Sequence, residues 1–134
     1  MKYSMDEKSI SALSEFRLQR AKQTLHEAMD IASRGHHIAA VNRLYYACFY
    51  AVNGLLIKNK IIVRTHTGVK QMFGLHFVKT GKLDPVFGRF YSRLFNDRIS
   101  GDYDDFVSFD KEMVEELIPQ AEEFICQIKE LIQK

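Results

Sequence analysis

Residues 39–57, AAVNRLYYACFYAVNGLLI, decide the fold. Wound at 3.6 residues per turn, this stretch is apolar around most of its circumference, which predicts the central, most buried helix of a bundle. Its polar exceptions are ordered. Arg43, Tyr46 and Tyr50 fall at i, i+3 and i+7 on one face, and Asn53 extends the same stripe. Gly54 costs roughly 1 kcal/mol relative to alanine inside a helix, so it points either to close backbone approach or to the start of termination. Asn53 and Gly54 also interrupt the apolar run, which falls short of the ~20 residues a membrane span requires.

Upstream, Leu18, Ala21, Leu25, Ala28, Met29 and Ala32 recur at three- and four-residue steps, predicting a helix over residues 6–33. Ser4 and Glu7 have capping-box spacing before it, and Gly35 is a natural stop. Downstream, residues 58–64 are read as a connector. Thr65 is an N-cap for a third helix carrying Val69, Met72, Phe73, His76 and Phe77 and closed by Gly81. Asp84-Pro85 opens a fourth, because proline lacks only an N–H that has no partner in the first turn; this helix is expected to run to Arg98. Residues 99–108, with glycine, serines and three aspartates in place of helical periodicity, predict a loop. Ser108 or Asp110 then caps a last helix with Val114, Leu117, Ile118, Ala121, Ile125, Ile128 and Ile132 on its buried face. Pro119 is expected to kink or divide that helix. The expectation is one all-α domain over residues 1–134, an up-and-down bundle of four to five helices.

Composition narrows the setting. Two cysteines, Cys48 and Cys126, sit far apart within apolar helical patterns, predicting buried free thiols in a reducing compartment. The N-terminal residues carry no apolar signal core, so a cytoplasmic protein is expected. The net charge of +2 hides a strong asymmetry: residues 34–98 hold eleven basic and two acidic side chains (+9), whereas residues 99–134 hold three basic and ten acidic ones (−7). Four of the five histidines also lie in the middle segment. Two explanations fit: an acidic last helix lying against the basic middle, within a chain or across a dimer, or a basic surface that receives phosphate. No cofactor or metal is implied; His36 and His37 are read as adjacent loop residues, which lack the i, i+4 geometry of helix-borne metal ligands.

Three segments, NRLYYACFYAVNGLL on the second helix, THTGVKQMFGLHFVKTG on the third and NDRISGDYDDF after the fourth, together make a specific signature. In that order and at those separations the chain resembles the HEPN domain family, over nearly its whole length. The resemblance implies a homodimer of helical bundles, often paired with a minimal nucleotidyltransferase as toxin and antitoxin. Many members are metal-independent endoribonucleases in which an arginine and a histidine four to six residues apart meet their dimer mates. Arg98 matches the arginine. The histidine window falls on Tyr103, Asp104 and Asp105, so the motif is degenerate: a phenol with pKa near 10 is a poor base at neutral pH and a carboxyl near 4 a poor acid.

The candidate residues follow. Arg98 would grip a phosphate, with Arg89 and Arg93 on preceding turns adding charge, or it is a helix C-terminal cation that pairs with Asp102 or the helix dipole. His66, at a helix start that favours the neutral imidazole, and Tyr103 are the groups available to replace the missing histidine. Tyr103 and Asp102 otherwise anchor the loop by packing and hydrogen bonding. Arg43, Tyr46, Tyr50 and Asn53 form either an internal polar network or the wall of an RNA or nucleotide groove. The functional expectation is a HEPN-type homodimer that binds a nucleotidyltransferase partner, RNA or a nucleotide. The alternatives are an endoribonuclease using Arg98 with His66 or Tyr103, and a purely structural dimer.

Overall fold

Every other helix packs on α2 (His37–Lys58) in the computed structural model, which describes residues 6–134. Around it stand α1 (Glu7–Ser33), α3 (His66–Phe73), α4 (Pro85–Tyr103) and α5 (Lys111–Gln133). The described residues contain no strand. Leu44, Tyr45, Ala47, Cys48, Ala51 and Leu55 of α2 are wholly buried, and the side chains they touch on all four neighbours form one continuous core. Burial of that kind, at about 1.5–3 kcal/mol per large apolar side chain, is the main force holding the helices together.

Gly54 marks close approach and not an ending, since α2 continues to Lys58. A Cβ there would stand 3.0 Å from the Ser14 carbonyl oxygen and 3.2 Å from Arg17 Cβ. The contact is used: the buried Ser14 hydroxyl donates to the Gly54 carbonyl at 2.8 Å, tying α1 to α2. The turn between these helices reverses through Gly35 at φ +82°.

Four of the five α-helix starts among the described residues follow side-chain capping chemistry, α2 alone starting after His36 without a side-chain cap. Asp6 accepts from Ser9 N–H at 2.7 Å, Thr65 from Gly68 N–H at 2.9 Å, Asp84 from Val86 N–H at 2.9 Å and Asp110 from Met113 N–H at 2.8 Å. The expected Ser4 cap lies outside the described residues; Glu7 pairs instead with Lys60 at 2.8 Å. His37 is the first residue of α2 rather than a loop residue.

Four expectations need correction. Residues 99–103 continue α4 instead of opening a loop. Gly101 is the reason: a Cβ there would meet Phe109 Cε2 at 2.9 Å and Ile38 Cγ2 at 3.3 Å, so its bare backbone seats the last turn where no side chain fits. Asp104 N–H then donates to the Ser100 carbonyl at 2.9 Å and ends the helix. The third helix is α only to Phe73 and widens into a π turn over Gly74–Val78, closed by Lys79 N–H donating to the Gly74 carbonyl at 2.8 Å. Pro119 does not divide α5, which runs unbroken from Lys111 to Gln133. Cys126 is exposed, whereas Cys48 is buried, and burial pushes the Cys48 thiol pKa well up. Cys126 lies one residue past Ile125 and two before Ile128, off the buried face that both belong to.

Ion pairs within the chain do not absorb the charge asymmetry. The ion pairs among the described residues are Arg34–Asp30, Lys60–Glu7, Arg93–Asp97 and Lys111–Glu115, and none joins the basic middle segment to the acidic end of the chain. Among the described residues no helix is long and apolar enough to cross a membrane.

Candidate functional site

Arg98 sits five residues before the end of α4 and lies over aromatic rings rather than beside a carboxylate. Its Cζ is 4.7 Å from the centroid of the Tyr45 ring, 5.9 Å from that of Tyr46 and 5.8 Å from that of Phe95. Each ring presents electron density to the cation, worth roughly 0.5–2 kcal/mol depending on how dry the contact is. The expected pairing with Asp102 is not made. Asp102 accepts instead from Asn42 Nδ2 at 3.3 Å. The Nε of Arg98 is buried and has no hydrogen-bond partner, a costly state for a charged donor.

Thr65 caps α3, and the first residue after that cap, His66, falls on the same rings. The His66 ring lies 4.4 Å from that of Phe49 and stands edge-on to Tyr46 at 89°. Its Nδ1 is 2.7 Å from the Tyr45 hydroxyl, which donates or accepts according to the tautomer. In either case Nδ1 is occupied and Nε2 is the nitrogen left for chemistry. Partial burial, and secondarily the positive charge of Arg98, depress the His66 pKa below the ordinary imidazole value, so the neutral ring prevails at pH 7. Tyr45 therefore bridges an arginine and a histidine that are 32 residues apart in the sequence. Beneath it Tyr91 is buried, with its ring 5.9 Å from that of Tyr45 and its hydroxyl without a partner in hydrogen-bonding geometry. Burial raises both phenol pKa values, most for Tyr91, so neither ionises near neutrality.

The polar stripe of α2 joins this cluster in part. Arg43 Cζ lies 5.0 Å from the Tyr46 centroid, so Tyr46 is flanked by Arg43 and Arg98. Tyr50 carries Arg20 at 5.0 Å, a partner on α1 that the sequence reading missed; the signal available was only that α1 must lie beside α2. Asn53 is half-buried and makes none of these contacts. Arg89 and Arg93 stand on preceding turns of α4, exposed, with Arg93 Nε 3.4 Å from Asp97. Burial pushes the Asp97 carboxyl up, partly offset by Arg93.

Tyr103 is elsewhere. It is 80% exposed, and the expectation that it anchors the loop by packing fails, because the loop begins only after it and is shaped by Asp104, which accepts from Phe106 N–H at 2.9 Å. Phe106 is 97% exposed, and Ile38 and Ile99 are also open to solvent. A pocket of about 750 Å³ lies nearby, lined by Asn42, Arg43, Asp102 and Phe109 among others. Among the described residues no three His, Cys, Asp or Glu side chains are grouped to hold a metal ion.

The sequence profile of the HEPN domain matches residues 14–131. The UPF0332 protein of Thermotoga maritima is 40% identical over 119 residues, covering 89% of this chain and 90% of its own. Two proteins of Methanocaldococcus jannaschii named "putative toxin" are 32% and 30% identical, covering 87% and 86% of this chain and 87% and 78% of their own lengths.

Proposed function

Because this chain belongs to the HEPN family, we propose that it is the toxin-type subunit of a paired module, a homodimer that binds RNA by gripping a phosphodiester with Arg98 and whose protein partner is a small nucleotidyltransferase. One observation carries the reading. A buried guanidinium nitrogen of Arg98 has no partner, in a site walled by aromatic rings and next to a neutral imidazole. A phosphate oxygen is the chemical complement of that guanidinium. The relatives that bear a toxin's name support the module, and the exposed Tyr103, Phe106, Ile38 and Ile99 beside the end of α4 support a second copy meeting the first there.

A second reading, cleavage, is favoured by the His66 geometry alone. With its Nδ1–H donating to the Tyr45 hydroxyl, His66 Nε2 would take the proton of a ribose 2′-hydroxyl, the 2′-oxygen would bond to phosphorus, and the bond from phosphorus to the 5′-oxygen would break as the His66 proton passes to that oxygen. The products are a 2′,3′-cyclic phosphate and a 5′-hydroxyl, and Arg98 would stabilise the charge that develops on the phosphoryl oxygens. No metal enters the balance.

The test is incubation of the pure protein with mixed RNA in the presence of EDTA, with binding followed in parallel at increasing salt. Wild type is expected to bind with steep salt dependence and Arg98→Ala to bind at least 10-fold more weakly. Cleavage that survives EDTA and disappears in His66→Ala but not in Tyr103→Phe establishes the second reading. An intact dimer that binds no RNA even at low salt overturns both and leaves a structural dimer.

A further inference from the structure

Between α3 with its π turn and α4 runs a groove of about 920 Å³ whose walls carry Lys70 and Lys79 on one side and Arg89 and Arg93 on the other. No carboxylate lines it. Lys70, Lys79 and Arg89 have no ion-pair partner among the described residues, and only Arg93 has one, Asp97. Four cations converging on one concave surface repel one another, so the arrangement is satisfied by a polyanion. Half-buried Phe95 and Val78 and the exposed Leu75 add apolar surface to the same groove.

The groove and the Arg98 cluster share a wall. Lys70 Nζ lies 4.9 Å from the centroid of the Phe95 ring, and Arg98 Cζ lies 5.8 Å from that same centroid. We propose that this groove is a track for single-stranded RNA, holding the backbone on one side of the phosphate that Arg98 grips. Cations that follow the backbone and an aromatic ring that receives a base face are what sequence-tolerant single-strand binding needs. The groove supplies affinity and direction; the Arg98 site supplies the fixed point. This assignment deepens the proposed RNA function and rests on it.

Fluorescence anisotropy with a labelled oligouridylate, titrated at several salt concentrations, tests the track. The variants are the triple substitution Lys70→Gln, Lys79→Gln, Arg89→Gln, a charge-matched control Lys8→Gln, Lys22→Gln, Lys129→Gln on other surfaces, and Arg98→Gln. The triple variant is expected to lose at least 10-fold in affinity and to lower the slope of log K against log salt by about 2, at ~0.7 per lost contact, while the control stays near wild type. Unchanged affinity and slope in the triple variant overturn the track, even if Arg98→Gln binds weakly. Equal losses in triple variant and control also overturn it, since net charge then suffices. So does salt-sensitive self-association that the triple variant abolishes while RNA binding is unaffected, because the groove would then receive the acidic α5 of a second copy. A weak triple variant with a fully active Arg98→Gln keeps the track and removes Arg98 as the phosphate grip.

Discussion

His66 and Tyr103 offer two answers to the same arginine, and they are placed in opposite environments. His66, far away in sequence, is held by a capped helix start, by Phe49 and Tyr46 and by a 2.7 Å contact to Tyr45, the ring over which Arg98 lies. Tyr103, only five residues from Arg98, is 80% exposed and has no such frame. Proximity along a helix does not make a site. Five residues carry a side chain about 140° around the axis from where it started, at 100° per residue, so Arg98 and Tyr103 face different ways. A pre-organised group needs its orientation fixed by packing, and packing is what His66 has and Tyr103 lacks.

The sharpest way to break this contrast is to remove its pivot. Tyr45→Ala deletes a wholly buried ring that both Arg98 and His66 touch, and is expected to cost about 3–5 kcal/mol in urea unfolding, as large aromatic truncations in cores do. A cost below 1 kcal/mol would mean that the cluster is loosely held. Gly101→Val comes next. Its side chain would collide with Phe109 and Ile38, so about 1–3 kcal/mol of destabilisation is expected, together with faster amide exchange across residues 99–104. An unchanged exchange pattern would show that the last turn of α4 does not depend on that close fit.

The smallest effect is electrostatic. The folded protein holds the His66 pKa below its unfolded value, so below about pH 6.5 the unfolded chain binds the extra proton first and stability falls as pH falls. The loss levels off once the pH is below the folded pKa. His66→Gln is expected to flatten this part of the stability profile, and NMR titration of the His66 ring reads the depressed pKa directly. A His66 that titrates at or above the free imidazole value would remove the argument that it is neutral beside Arg98.

Much of the fold was legible because helices announce themselves locally. The apolar periodicity of residues 39–57, the caps Thr65, Asp84 and Asp110 and the stops Gly35 and Gly81 depend on neighbours within a few residues, which is the range a sequence displays. Residues 99–103 were misread for the converse reason: glycine, serine and aspartate favour turns, but contact with Ile38 and Phe109, which belong to other parts of the chain, overrides that preference. The exposure of Cys126 similarly depended on how α5 is rotated against its neighbours.

The sequence by itself determined five helices, the centrality of α2, the uneven charge and the lack of a histidine at Tyr103, Asp104 and Asp105. Only the tertiary structure decided that Arg98 meets His66 across Tyr45, that Asp102 turns to Asn42, and that the basic middle segment makes no ion pair with the acidic last helix of its own chain and lines a groove. Helix identity is a property of short segments, while a site is a set of distances between segments. Those distances are fixed by how the helices dock.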